Sequence, residues 1–115
     1  MNDEDVKVKR CETAWAKVYI AGSVPTLEQV CREFCLDGCC VTVTPTNYIY
    51  TFGEESGAEI GLIHYPRFPK GAGAQEQITR QATNLGFAMM YRCHQGSFTV
   101  MDPEMTYFHS RRKGE

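Results

Sequence analysis

The sequence predicts an α+β domain: a mainly antiparallel sheet with two helices on one face, arranged as a duplicated βαββ unit. Three observations predict it. Apolar residues recur at helical spacing in two segments, 27–35 and 78–93. Short runs rich in β-branched and aromatic residues flank each segment. The halves also resemble one another: Val41-Thr42-Val43…Pro45…Tyr48-Ile49-Tyr50 matches Phe98-Thr99-Val100…Pro103…Thr106-Tyr107-Phe108, each after a helix ending in glycine. If the proline turns are kinks instead, each pair of short strands merges. The order then becomes βαββαβ, the ferredoxin-like plait, which is the alternative. One domain spans residues 1–115, with pseudo-repeats over about 14–52 and 58–109 and mobile ends at 1–12 and 110–115.

Residues 1–10 alternate acidic and basic clusters and read as a solvated, frayed start. Ala16 to Ala21 is a strand closed by Gly22-Ser23. Thr26 is placed to cap the next helix, with Gln29 completing a capping box. Leu27, Val30, Cys31, Phe34 and Cys35 form its buried stripe, and Gly38 ends it in the left-handed conformation. Cys40 to Thr44 is a strand, Thr44-Pro45-Thr46-Asn47 a turn, and Tyr48 to Phe52 a second strand. The polar run Gly53 to Gly57 reads as another turn, leading into a strand over Ala58 to Tyr65. Two prolines and two glycines break regular structure over Pro66 to Gly73. A helix from Ala74 to about Cys93 carries Ile78, Ala82, Leu85, Met89 and Cys93 on one face, and Gly86 within it marks a close approach. Gly96 ends that helix. A final hairpin follows, turning at Asp102-Pro103-Glu104, before the basic tail Arg111-Arg112-Lys113.

Hydrophobic residues make up 43% of the 115, enough for a core. No apolar run approaches the length of a membrane span, and no charged-then-apolar leader opens the chain. Twelve Lys and Arg against fourteen Asp and Glu give a formal charge of −2, which argues against nucleic-acid binding by bulk charge. Six cysteines are the unusual feature. A disulfide framework, a metal site and reduced thiols all compete as readings. The helical stripe favours the last for Cys31 and Cys35, as small hydrophobes, and puts Cys93 on another buried face. Cys39 and Cys40 are vicinal and point to opposite faces, so at most one is exposed. No metal-ligand, cofactor or catalytic pattern is read from the spacing.

Both faces of the Tyr48–Phe52 strand carry apolar bulk, with Tyr48, Tyr50 and Phe52 on one and Ile49 on the other. Two helices cover one face, so the second is expected to be covered by another copy in a homodimer. Tyr65, Arg67, Phe68 and Lys70 are the candidate ligand- or partner-binding residues. Arg67 and Lys70 lie on a proline-stiffened loop opening a helix, where free N–H groups and two cations suit an anion. Tyr65 and Phe68 supply packing or stacking surface. Glu54, Glu55 and Glu59 are read as exposed charges around a glycine turn, and His64 as a satisfied strand histidine.

The segments Val18-Tyr19-Ile20-Ala21-Gly22, Val30 to Cys35, Cys40 to Thr46, Tyr48 to Thr51, Gly53 to Gly57 and Tyr65 to Pro69 resemble a family of small uncharacterised proteins of large tailed bacteriophages. That likeness covers roughly residues 17–70. It implies an accessory protein in the reducing cytoplasm of an infected bacterium, which agrees with free thiols. A second likeness joins Val18 to Gly22 with Glu55-Ser56-Gly57-Ala58-Glu59-Ile60-Gly61. It is similar to motifs of nucleoside deoxyribosyltransferases and implies a nucleophilic role for Glu59. The expectation drawn is a non-enzymatic phage accessory protein that binds a host protein or sequesters a small anionic ligand such as a nucleotide. The alternative is a nucleoside-processing enzyme of the deoxyribosyltransferase kind.

Overall fold

The computed structural model describes residues 5–115; the start of the frayed segment expected at 1–12 lies outside them at residues 1–4. Strand β1 (Trp15–Ala21) leads to helix α1 (Val24–Phe34), strand β2 (Val41–Tyr50) and strand β3 (Gly53–Ile63). Helix α2 (Ala74–Arg92) then precedes strands β4 (Ser97–Met101) and β5 (Thr106–Ser110). The sheet order is β2-β3-β1-β4-β5, and every neighbouring pair is antiparallel. The α+β class, the antiparallel sheet and the two helices are as the sequence predicts. The first half takes the merged form of the alternative: β1 to β4 follow βαββαβ, and β5 adds an outer strand.

The merging has a physical cause. The expected turn at Thr44–Asn47 does not form, because β2 is an edge strand and Pro45 pairs opposite Ala58 without interrupting it. An edge is where a sheet tolerates a residue without an N–H. The expected turn at Gly53–Gly57 does not form either. Those residues open β3, and the chain reverses one step earlier, through Thr51 and Phe52, with Tyr50 facing Gly53. Phe52 takes the positive φ of that two-residue loop, at 67°.

Helix α1 starts at Val24 after Ser23, not at Thr26, because Pro25 fits the first turn, where its fixed φ suits and its missing N–H costs nothing. Leu27, Val30 and Cys31 are buried as expected. Cys35 has left the stripe for a 3₁₀ turn (Cys35–Asp37), which Gly38 ends at φ 96°. In α2, Ile78, Ala82, Leu85 and Met89 are buried, while Cys93 caps the helix half-buried. His94, not Gly96, carries the left-handed φ that ends it. Gly86 does mark a close approach: a Cβ there would lie 2.2 Å from the Phe98 ring.

Alternation along the strands sets the two faces. Ala16, Val18 and Ile20 of β1 register with Leu62, Ile60 and Ala58 of β3 and are buried beneath the helices. Phe98 and Val100 extend this core into β4. Phe98 stacks on His109 at 4.7 Å and meets Phe87 edge-on at 5.1 Å. Beyond β1, the β2–β3 hairpin continues as an arm carrying exposed Ile49, Tyr50 and Phe52. The fold is thereby drawn out to 56 × 30 × 26 Å. No helix among the described residues is long and apolar enough to cross a membrane.

Candidate functional site on the uncovered sheet face

The face turned away from the helices is a strip of mixed chemistry. On β3 its positions are Gly53, Glu55, Gly57, Glu59, Gly61 and Ile63, so glycines alternate with carboxylates. Glycine within a strand weakens the strand but lets other atoms approach the backbone. Here the space at Gly61 is met by the Thr42 hydroxyl, and that at Gly57 first by the backbone of Ile20 and Ala21 and then by the Tyr48 ring. Glu59 thus stands between two bare positions. The segment reads as a turn by composition, yet its period-two glycine and glutamate pattern is the signal that could have placed Glu55 and Glu59 on one face.

Next to it, β1 presents Trp15, Lys17 and Tyr19 on the same face. Lys17 Nζ lies 3.0 Å from Glu59 Oε1 and 6.0 Å from the centre of the Trp15 ring. The hydrogen bond from Lys17 and the negative charge of Glu59 hold the Lys17 ammonium above its ordinary pKa. A positive and a negative group are therefore held side by side at the centre of the strip.

Tyr48 does something the sequence does not announce. Its hydroxyl accepts from Ile20 N at 3.1 Å and donates to Ala58 O at 2.6 Å. The phenol thereby bridges facing residues of β1 and β3. Burial pushes its pKa up to about 12, against the pull of the Ile20 N–H and with help from Glu59, so it stays a neutral donor.

Two hollows flank this centre. At the Trp15 end a largely apolar cleft of about 760 Å³ is walled by Trp15, Lys17, Thr42, Gly61, Ile63 and Tyr65. At the Tyr19 end a smaller recess of about 190 Å³ lies between Tyr19, Tyr48, Tyr50, Glu55 and Arg112. The basic tail is folded into this end, where Arg112 donates to Ser97 Oγ at 2.9 Å and Arg111 N–H to Gly96 O.

The loop residues singled out from the sequence are divided. Tyr65 borders the large cleft. Tyr65, Phe68 and Lys70 surround a separate recess of about 20 Å³, near the volume of a single water, and exposed Arg67 stands outside it. His64 is satisfied, as expected: Nδ1 meets Glu12 O at 2.6 Å and Nε2 accepts from the Lys70 backbone N–H at 3.0 Å. Backbone groups of the loop are bonded: Phe68 N–H donates to Tyr65 O, and Lys70 O accepts from Gln77 Nε2. Glu76 already occupies the first turn of α2, where the helix dipole favours an anion. All six cysteines are free thiols. Among the described residues no three His, Cys, Asp or Glu side chains are grouped to hold a metal.

Solved structures share this fold over nearly the whole chain. A solved structure of a phage SAM lyase in complex with S-methyl-5′-thioadenosine matches with a TM-score of 0.62 at 13% identity, over 96% of this chain and 98% of that one. The apo state of a phage SAM lyase matches with a TM-score of 0.60 at 16% identity, over 89% and 92%. At these identities the likeness is one of fold. No family model and no curated protein matches the sequence.

The non-enzymatic reading, with its host-docking or anion-sequestering role, is corrected by this match, because both of these structures are of a lyase. The deoxyribosyltransferase alternative falls as well: it needs a parallel sheet of alternating strands and helices, and this sheet is antiparallel throughout.

Proposed function

We propose that the uncovered face binds S-adenosylmethionine or a close S-adenosyl sulfonium relative and cleaves it as a lyase. The observation that carries this reading is the order of chemistry along one strip. A cleft of about 760 Å³, within the roughly 300–1,000 Å³ range of small-molecule sites, lies beside an aromatic ring that suits a nucleobase. Adjacent to it is the Lys17–Glu59 pair, one positive and one negative group, the complement of an amino-acid zwitterion. S-adenosylmethionine carries a nucleoside at one end and a zwitterion at the other. Trp15 and Tyr19 are four residues apart on an extended strand, about 13 Å, which gives the strip the reach for both ends. The full-length fold match supports the same class.

The chemistry balances without an external reactant. The bond from sulfur to the aminobutyryl γ-carbon breaks, and its electron pair goes to sulfur, leaving neutral S-methyl-5′-thioadenosine. The γ-carbon closes onto the substrate's own carboxylate oxygen, or the neighbouring carbon gives up a proton to a water molecule and a double bond forms. Both routes give isomers of one composition. In this reading Glu59 holds the ammonium, Lys17 the carboxylate, and the neutral Tyr48 phenol fixes the strand edge beneath them. Tyr65 enters the site as a wall of the nucleoside cleft, whereas Arg67, Phe68 and Lys70 lie off it.

Trp15 is the chain's single tryptophan and lines the cleft, so its fluorescence reports occupancy. Titration with S-methyl-5′-thioadenosine is expected to change Trp15 emission saturably, and the Trp15→Phe variant to lose that signal. An unchanged spectrum at millimolar ligand, with heat of binding absent, would reject the reading. The homodimer expected on the uncovered sheet face is proposed instead through the apolar arm tip, where Ile49 and Phe52 are exposed. Sedimentation should then show a second copy that Ile49→Lys with Phe52→Lys releases. The phage origin of the neighbours supports action in the infected cell.

A further inference from the structure

Four of the six cysteines gather at the C-terminal end of α1, away from the strip's central ion pair. A groove of about 290 Å³ between α1 and the start of β2 is lined by Cys31, Cys35, Cys39 and Cys40, beside Glu28 and Arg32. Within it Cys35 Sγ and Cys39 Sγ are 3.0 Å apart. A disulfide bond is about 2.05 Å long, so about 1 Å of approach separates this contact from a bond. The backbone between them is a 3₁₀ turn ended by Gly38, and nothing lies within 4 Å of where a Cβ of Gly38 would point. The turn therefore has room to tighten. Cys31 is not a competitor of equal standing, because it is buried in the core with Leu27 and Val30. Cys40 is exposed and borders the Trp15 cleft.

We propose that Cys35 and Cys39 are a reversible dithiol pair that closes to a disulfide by exchange with a low-molecular-weight disulfide such as glutathione disulfide. One of the two thiols loses its proton and attacks a sulfur of the external disulfide. That S–S bond breaks, a mixed disulfide forms, and the first small thiol leaves with a proton. The second cysteine, already in contact, then attacks the protein sulfur of the mixed disulfide and expels the second small thiol. Two protein thiols are oxidised and one external disulfide is reduced to two thiols. The thiolate is the nucleophile. Burial, with the neighbouring Cys35, pushes the Cys39 pKa up to about 12. Exchange is thus slow at neutral pH and quickens as pH rises. Closure would tie the end of α1 to the entry of β2, next to Cys40 and the wall of the cleft. This pair stands independently of the lyase reading.

The test uses the full chain, purified reduced and exposed to glutathione disulfide at pH 8.5, then quenched with iodoacetamide. The expected product retains four alkylatable thiols, has lost two hydrogens in mass, and recovers all six thiols after dithiothreitol. Cleavage at Asp37 should leave the Cys35 and Cys39 fragments joined, with fragmentation placing the bond at Cys39 and not Cys40. Cys35→Ser and Cys39→Ser should each abolish the product, whereas Cys93→Ser should keep it. If either variant fails to fold, mapping of the wild-type bond decides. Six thiols still alkylated, a bond between other cysteines, or glutathione adducts that never resolve would each overturn the proposal.

Discussion

Replacing Tyr48 by phenylalanine removes one oxygen atom and tests how the sheet is tied together at the site. That oxygen accepts from Ile20 N at 3.1 Å and donates to Ala58 O at 2.6 Å, joining β1 to β3 through a side chain of β2. Each such hydrogen bond contributes about 0.5–1.5 kcal/mol net, so the variant should lose about 1–3 kcal/mol. At about 4 °C per kcal/mol for a chain near this size, Tm should fall by roughly 4–12 °C. Urea unfolding followed by circular dichroism gives the energy, and amide exchange at Ile20 locates it. The alkaline limb adds a second check. The phenol's folded pKa is raised to about 12 from its ordinary 10, so its contribution is complete below pH 10. It is lost as pH rises from 10 through 12, because the unfolded chain ionises first. The wild type should therefore lose stability across that window faster than Tyr48→Phe. Unchanged stability together with an Ile20 amide that stays protected would refute the bridging role.

Gly86→Ala should destabilise by about 1–2 kcal/mol in urea unfolding: the helix gains about 1 kcal/mol, but overpacking costs up to about 3 against a Phe98 ring stacked on His109. Phe52→Gly should stabilise by about 1 kcal/mol, since a fully exposed side chain at φ 67° loses no packing and relieves a left-handed backbone; thermal melts check the sign. Asp102 closes the β4–β5 turn, and although burial pushes its pKa up, the Met105 and Glu104 N–H groups and the Thr79 hydroxyl outweigh this and lower it. Its stabilisation is present above about pH 4 and is lost as pH falls through the lowered folded value. Asp102→Asn should accordingly be less stable at pH 7 and show a shallower acid limb than the wild type.

What was legible in the sequence was local. The stripe through Leu27, Val30 and Cys31 and that through Ile78, Ala82, Leu85 and Met89 are set by neighbours within two helical turns, and both are buried as read. Gly38 and the Asp102–Pro103 turn likewise depend on a few residues of backbone. What was not legible depends on sheet position. Whether Pro45 turns the chain or rides an edge strand is decided by what lies beside it, and β2 has only one neighbour. Gly53 to Gly57 has the composition of a turn, and only pairing with β2 makes it a strand. The candidate site was hidden for the same reason. Lys17 meets Glu59 through the register of β1 on β3, and Tyr48 reaches Ile20 from two strands away. Periodicity within one segment carries no information about either contact.

The measurement closest to the central claim is turnover of S-adenosylmethionine by the purified chain, with products separated by chromatography and identified by mass and proton NMR. The account predicts S-methyl-5′-thioadenosine and an equimolar four-carbon product. It also predicts a loss of about 10- to 100-fold in kcat/KM for Glu59→Gln, as expected when a charged hydrogen-bond partner worth about 1.5–3 kcal/mol is removed. Intact S-adenosylmethionine after prolonged incubation with folded protein, or turnover indifferent to Glu59, would contradict it.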